Sequence, residues 1–232
     1  MKSCSNLERD QVWCYRDPVS TVATKRGPYA PTKQKREDIA RAVLEIVEDQ
    51  GHDSVTIALV AQRSGIAEAT VLYHFPSRDH LLVAALELAD EQSAIEFHPD
   101  ADDAVLSLEQ FRETVASHQF DGRIARLLLL LKGFTATPDH PAVEFFVHRN
   151  ELQVSIFTKL VARRQRDGYA HPGLDPRRVA IQVIAIWDGL SGLWLTDPAF
   201  DVADYLIDAY RRLAGENVLA ARALVNGEEF GL

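Results

Sequence analysis

Cysteine is almost absent from this sequence of 232 residues, in which it occurs only as Cys4 and Cys14. Both lie close to the N-terminus and outside any spacing that is typical of zinc ligands. The sequence therefore predicts neither a structural disulfide nor a metal site, and we expect no cofactor.

Long apolar runs are also lacking. The longest aliphatic run extends from Leu127 to Leu131, which is far too short to span a bilayer. The first twenty residues contain no apolar block of the kind found in signal peptides. We therefore expect a cytoplasmic protein that does not associate with a membrane.

The common catalytic motifs are missing as well. The sequence contains no phosphate-cradling glycine loop, no Gly-x-Ser-x-Gly elbow, no His-Glu-x-x-His and no Cys-x-x-Cys. The Glu-x-x-His pairs of helical di-iron proteins are not present either. We expect a protein that is not an enzyme.

Positive charge is scarce overall, since 25 basic residues stand against 34 acidic ones and the formal net charge is −9. This balance excludes a non-specific nucleic-acid coat. The basic residues nevertheless cluster before the first predicted helix, in a segment interrupted by glycine and proline: Lys25, Arg26, Lys33, Lys35 and Arg36. Such an arm can lie along phosphates or in a minor groove. The alternative is a disordered leader that only improves solubility.

Residues 56–75 carry the pattern of two short helices joined by a tight turn. Thr56 is suited to cap the first helix, and Gly65 to leave it in a left-handed backbone conformation. Val71 and Phe75, four positions apart, place an apolar stripe on the inner side of the second helix. The pattern predicts a helix-turn-helix. Its outward-facing residues are expected to be Ala67, Glu68, Thr70, Tyr73 and His74.

Helical patterns flank this unit on both sides. The residues from Ile39 to Val47 form an amphipathic helix, and a further helix is predicted from Ser77 to Asp90 after a stop at Pro76. This order of elements and the Tyr-His-Phe-Pro-Ser-Arg junction at residues 73–78 resemble the tetracycline-repressor (TetR) family of bacterial transcription regulators. The resemblance extends over roughly residues 33–89.

The resemblance implies that Thr70, His74 and Arg78 contact DNA, as the matching residues of the family do. The chain departs from the family pattern in reading Val-Leu-Tyr-His-Phe, and in placing Glu68 where a basic residue is frequent. Glu68 either accepts a hydrogen bond from a cytosine amino group or is simply solvated. Packing at the helix end is the alternative role for Tyr73 and His74, and a surface ion pair is the alternative for Arg78.

The expected partner of these residues is a double-stranded DNA operator. The full set of candidate DNA-binding residues is Lys33, Lys35, Arg36, Thr56, Ala67, Glu68, Thr70, Tyr73, His74 and Arg78.

After residue 80 the chain reads as successive helices, without an alternating strand pattern and without a repeat. These helices are predicted at Asp102 to His118, Asp121 to Phe134, Pro141 to Asp167, Pro176 to Leu195 and Val202 to Leu213. With the N-terminal helices the total is about nine. We expect an all-α protein with four parts: a disordered leader with the basic arm (1–32), the helix-turn-helix DNA-binding domain (33–80), a ligand-binding and dimerisation domain (81–214), and a C-terminal tail (215–232) with at most a short helix near Val218 to Leu224.

The segment from Val179 to Leu195 is apolar on almost every face of its predicted helix, and Gly189 and Gly192 would permit a close approach. It resembles the family segment that pairs with a twin subunit in a four-helix bundle. We therefore expect a homodimer that reads an inverted repeat. The alternative is the buried central helix of a monomer. The candidate interface residues are Ile184, Trp187, Leu190, Trp194 and Tyr205.

In the resembled family the larger domain encloses a small-molecule effector, and binding shifts the helix after the recognition helix, here Ser77 to Asp90. The resemblance thus implies a repressor that is released by a small organic ligand. The other possibility is a helical protein-interaction adaptor that has lost DNA binding. The candidate ligand contacts are Phe111, His118, Phe134, Phe146, Arg149, Trp187 and Asp188. For most of the aromatic residues among them, the alternative role is an ordinary position in the core.

Overall fold

The computed structural model describes residues 29–94, 108–120 and 122–226, and within these ranges it contains helices and no strand. The all-α prediction is confirmed. The helices are α1 (Tyr29–Gln50), α2 (Ile57–Ser64), α3 (Glu68–His74), α4 (Arg78–Ala94), α5 (Leu108–Phe120), α6 (Gly122–Gly133), α7 (Ala142–Arg166), α8 (Pro176–Thr196), α9 (Val202–Leu213) and α10 (Glu216–Asn226). Short 3₁₀ turns occupy His52–Ser54 and Phe134–Ala136.

The helix-turn-helix has the local structure that its sequence predicts. The Thr56 hydroxyl accepts a hydrogen bond from the Leu59 N–H at 3.2 Å, which caps α2. Gly65 ends α2 with φ 68° and ψ 19°, a left-handed conformation that favours glycine. Val71 and Phe75 are buried, so the inner face of α3 is anchored in the core.

The first helix begins earlier than the sequence predicts. Helix α1 starts at Tyr29, ten residues before Ile39, and therefore includes Lys33, Lys35 and Arg36. These residues do not form an arm ahead of the helix. Proline at position 31 is compatible with this start, because the first N–H groups of a helix have no intrahelical partner. Lys25 and Arg26, like the two cysteines and the start of the helix predicted from Asp102, lie outside the described residues.

A tenth helix replaces the short helix predicted in the tail. Helix α10 packs on α9, and Glu216 in its first turn is buried. The Glu216 carboxylate accepts hydrogen bonds from Arg164 of α7 at 2.5 and 3.2 Å. This long-range ion pair ties the first turn of α10 to the body of the protein, a contact that no local pattern indicates.

Two hydrophobic cores organise the helices. The first contains α1 to α4 together with Leu127 and Leu131 of α6 and Phe145 and Phe146 of α7. The second is built from α5, α7, α8 and α9 around Tyr210. The first core thus includes residues from the helices before α4 and from helices after it. The helix-turn-helix and the following helices are therefore packed as one continuous body.

Candidate functional site

Helix α3 presents one side to solvent while its other side is buried. The Tyr73 side chain is 80% exposed and that of Leu72 is 45% exposed, although both are large and apolar. Ala67 and Glu68 at the start of the helix are also exposed. The outward orientation expected for these residues is therefore observed. A helix of this kind can enter a groove without disturbing its own packing.

The remaining candidates on α3 are less accessible. Thr70 and His74 are partly buried, and the His74 ring lies edge-on to the Tyr73 ring, with centroids 5.1 Å apart. Leu72 was not among the sequence-derived candidates. Its exposure could have been predicted, because Leu72 lies outside the apolar stripe of Val71 and Phe75 and therefore on the exposed side of the helix.

Arg36 of α1 holds the C-terminal end of α3. Its Nη1 donates a hydrogen bond to the His74 carbonyl oxygen at 2.9 Å, and its guanidinium lies 4.5 Å from the centre of the Phe75 ring. A cation at this end also complements the partial negative charge of the helix. Lys33 lies one turn earlier on the same side of α1, where its ammonium is 3.7 Å from the Glu37 carboxylate. Lys35 is exposed.

Arg78 is engaged within the protein. Its Nε donates to the Val55 carbonyl oxygen at 3.0 Å, and its Nη2 donates to that of His52 at 2.6 Å. The guanidinium thereby connects the start of α4 to the turn between α1 and α2. Among the described residues Arg78 forms no surface ion pair, which was the alternative considered for it. Nearby, Arg63 of α2 donates a hydrogen bond to the Asp49 carboxylate of α1 at 3.0 Å, which raises the pKa of Arg63.

A cavity of about 60 Å³ lies between α4 and the helices that follow it. Its apolar wall comes from five helices and includes Leu86, Val115, Ile124, Leu128, Trp187 and Trp194. Its polar groups are Asp90, Lys132, Arg149, Gln153, Asp188 and Ser191. A mainly apolar wall with a few convergent polar groups is typical of a small-molecule site.

Two ion pairs border this cavity. Arg149 of α7 donates from Nε to Asp90 of α4 at 2.7 Å, and its side chain is only 11% exposed. Lys132 of α6 forms the second pair with Asp188 of α8. The first pair joins α4 to α7 and the second joins α6 to α8. The cavity therefore lies between two ion pairs that connect different helices.

The predicted ligand residues are only partly brought together at this cavity. Arg149, Trp187 and Asp188 line it. Phe111 is buried in the second core, where its ring is 5.9 Å from that of Trp187, and Phe146 is buried in the first core. Both therefore have the core role that was the alternative for aromatic residues.

Two further candidates are placed elsewhere or undescribed. Phe134 lies at the surface after α6 and stacks on His140 at 4.8 Å. The side chain of His118 is outside the described residues. Sequence reasoning missed Asp90, Lys132 and Gln153, for which the helical spacing of polar residues within apolar segments was the available signal.

The sequence and fold are those of a known family. Residues 39–85 match the profile of the bacterial regulatory proteins of the tetR family. The chain is 30% identical over 190 residues to the HTH-type transcriptional repressor KstR of Mycolicibacterium smegmatis, which covers 79% of this chain and 88% of that protein. The chain belongs to the TetR family. It is a DNA-binding transcriptional regulator.

Further similarities agree with the TetR fold. The structure of a putative TetR-family regulator from Rhodococcus sp. superposes with a TM-score of 0.60 at 20% identity, covering 78% of this chain and 99% of that chain. The nucleoid occlusion factor SlmA of Vibrio campbellii is 24% identical over 161 residues, covering 67% of this chain and 81% of SlmA. The adaptor alternative is not favoured.

One face of α8 has no partner among the described residues of this TetR-family chain. It consists of Ile181, Ala185, Gly189 and Leu193, which are spaced by four residues and are all exposed, and we call it the α8 free face. A Cβ atom at Gly189 would meet nothing within 4 Å. By length and composition α8 could also cross a membrane, but its opposite side packs on α7 and α9.

The residues predicted for the dimer interface are mostly on the other side of α8. Ile184 is buried in the second core, and Trp187, Leu190 and Trp194 pack against that core. Tyr205 of α9 is 58% exposed. The sequence could not show which side of α8 faces the core, because a helix that is apolar on every face has no periodic pattern of apolar and polar residues.

Proposed function

We propose that the protein is a homodimeric repressor, located in the cytoplasm, in which each α3 reads one half-site of an inverted-repeat operator. The observation that carries this proposal is the exposure of Tyr73 and Leu72 on a helix whose inner side is anchored by Val71 and Phe75. A single helix of seven residues contacts few base pairs, so two copies are needed for a specific site.

The candidate DNA-binding residues have two proposed roles: some read base edges, and others position the protein on the DNA. Glu68, Thr70 and Tyr73 face base edges, and Leu72 supplies apolar contact of the kind that thymine methyl groups favour. Ala67 allows the close approach of the backbone at the start of α3.

Phosphate contacts are assigned to other elements. Lys33 and Lys35 of α1 lie along the phosphates, and the Thr56 hydroxyl at the start of α2 donates a hydrogen bond to a phosphate oxygen. Arg36 and Arg78 act by positioning, since their guanidinium groups already bind carbonyl oxygens of the protein. His74 supports the helix end through the carbonyl that Arg36 binds.

Dimerisation is proposed through the α8 free face together with Tyr205 of α9. Leu193 is 61% exposed and Ile181 is 44% exposed, and they belong to one exposed apolar strip of the kind that marks protein contacts. The small residues Ala185 and Gly189 between them would allow two helices to approach closely. A two-fold pairing of this face would bring two recognition helices to the same side of the DNA.

Release by a small organic effector is proposed through α4. Leu86 and Asp90 of α4 line the cavity, while the first turn of the same helix is held by Asp79, whose carboxylate is 3.3 Å from His140 Nε2. An effector that prefers a different placement of α4 would displace α3. A coupling of about 1–3 kcal/mol would lower operator affinity roughly five- to 150-fold.

A selection of bound fragments from the source genome at near-physiological salt tests the DNA-binding part. It is done with the native protein, with Thr70→Ala combined with Tyr73→Ala, and with the exposed Glu151→Ala of α7 as a matched control. We expect the native protein and the control to enrich the same inverted repeat and the double variant to enrich none. Equal enrichment by all three would refute reading by α3.

A further inference from the structure

We infer that the cavity beside Gln153 takes an uncharged, mainly apolar molecule that carries a hydroxyl group. This inference deepens the proposed effector site and rests on the proposal that this cavity is that site. Three features of the described lining carry it: the balance of charge, an unsatisfied buried acceptor, and the aromatic wall.

The charges that line the cavity cancel. The two cations, Lys132 and Arg149, are each paired with a carboxylate, that of Asp188 and that of Asp90. A ligand with a net charge would either enter an apolar site without a counter-ion or break one pair and leave a protein charge unmatched. Both outcomes cost free energy, most of all at Arg149, whose side chain is only 11% exposed. The lining therefore favours a neutral ligand.

Gln153 supplies the polar contact. Its Oε1 atom is buried and has no hydrogen-bond donor within reach among the described residues. Such an atom is uncommon, because most buried acceptors in proteins are satisfied. Gln153 belongs to the cavity lining, and a change of its side-chain rotamer would bring the enclosed amide into contact with a donor on a bound molecule.

A hydroxyl fits this amide better than a group that only donates or only accepts. Rotation of the Gln153 amide by half a turn exchanges the positions of its oxygen and nitrogen. A hydroxyl donates to the oxygen in one orientation and accepts from the nitrogen in the other. It therefore satisfies Gln153 in both cases.

Apart from the two ion pairs, Gln153 and Ser191, the lining is apolar. Trp187 and Trp194 of α8 line the cavity together with Leu128 and Val115. This wall provides contact for a hydrocarbon ring or chain. The two indole rings also report binding directly, since the third tryptophan of the chain is Trp13, near the N-terminus.

The test measures tryptophan fluorescence of the full-length Trp13→Phe protein with four probes that share one ring: cyclohexanol, methylcyclohexane, cyclohexylammonium and cyclohexanecarboxylate. We expect saturable binding, with cyclohexanol about tenfold tighter than methylcyclohexane, as a satisfied buried hydrogen bond predicts. The two charged probes should bind more weakly than cyclohexanol. Tighter binding of either charged probe, or no binding of cyclohexanol, would overturn the inference.

Variants assign the effect to the amide. Gln153→Met should remove the preference for cyclohexanol over methylcyclohexane while leaving methylcyclohexane binding unchanged within about twofold. The exposed Gln62→Met of α2 is the matched control and should keep the preference. Should Gln153→Met fail to fold, Gln153→Asn withdraws the amide by one methylene and should also lose the preference. A preference retained in the folded variant would overturn the role of Gln153.

Operator binding is measured separately from ligand binding. Cyclohexanol that binds with the expected selectivity but does not weaken a selected operator complex would leave the chemistry of the cavity intact and refute effector release. Loss of the operator complex without selective fluorescence binding would support release and refute the hydroxyl assignment. The two proposals can therefore fail independently.

Discussion

The guanidinium of Arg36 lies 4.5 Å from the centre of the Phe75 ring and at the same time donates a hydrogen bond to the His74 carbonyl oxygen. This relationship joins α1 to the end of the recognition helix. It combines a cation–π contact with a charge-assisted hydrogen bond at a helix C-terminus. Arg36 therefore sets the placement of α3 and is poorly placed to serve as a mobile phosphate ligand.

Arg36→Met is expected to weaken operator binding about tenfold, because α3 loses its attachment to α1. The dependence of binding on salt should change little, since no phosphate contact is removed. Lys35→Met should instead lower the slope of log K against log [salt] by about 1. Filter binding or fluorescence anisotropy over a range of NaCl concentrations measures both.

The comparison of the two variants decides the role of Arg36. A slope that falls by about 1 in Arg36→Met would show a direct phosphate contact. Glu37→Gln, which removes the carboxylate near Lys33 without touching either basic residue under test, serves as the control for a general change in surface charge.

Arg78→Gln is expected to lower the free energy of unfolding by about 2 kcal/mol, because the carbonyl oxygens of His52 and Val55 lose their donor. Urea unfolding at fixed protein concentration measures this loss. The exposed Arg126→Gln of α6 is the matched control and should change stability by less than about 0.5 kcal/mol.

The opposite result is equally informative. Unchanged stability together with a reduced salt slope of operator binding would place Arg78 at a phosphate, the role that the resemblance implied. The distinction matters because Arg78 lies between α3, the proposed reading helix, and the turn that it supports.

The parts of the fold that sequence predicted are those with local causes. Thr56, Gly65 and Ser77 act within four residues of their own positions, through a cap, a left-handed turn and a second cap. Such signals can be found by inspection of a short window. The start and end of α2 and the start of α4 were accordingly placed within a residue or two.

The parts that sequence did not predict depend on distant residues. The bond from Arg36 to His74 joins positions 38 apart, and that from Arg78 to Val55 joins positions 23 apart. No window-based pattern contains such a pairing. Helix α8 shows the same limit, because only its packing on α7 and α9 reveals that Leu193 is free and Ile184 is not.

Ile181→Glu combined with Leu193→Glu is expected to convert the proposed dimer to a monomer, since like charges would meet across the α8 free face. Sedimentation velocity at micromolar concentration measures the change, and operator binding should weaken and lose its cooperativity. Val147→Glu, at another exposed apolar position on α7, should remain dimeric. A double variant that stays dimeric would move the interface away from this face.

The ion pair between Arg164 and Glu216 should stabilise the protein far more than an exposed pair on the neighbouring helix. Glu216→Gln leaves the Arg164 guanidinium partly buried without its counter-charge and is expected to cost about 3 kcal/mol. Asp208→Asn disrupts the exposed pair with Arg212 on α9 and should cost less than about 0.5 kcal/mol.

Urea unfolding of both variants at one protein concentration, with the m-value checked for each, measures the difference. The surroundings of Glu216 support a large effect, because burial and the Glu216 charge together raise the pKa of the neighbouring Tyr210. Equal losses in the two variants would mean that solvent screens Glu216 as fully as Asp208. In that case α10 would be held by its apolar contacts with α9 rather than by its ion pair with α7.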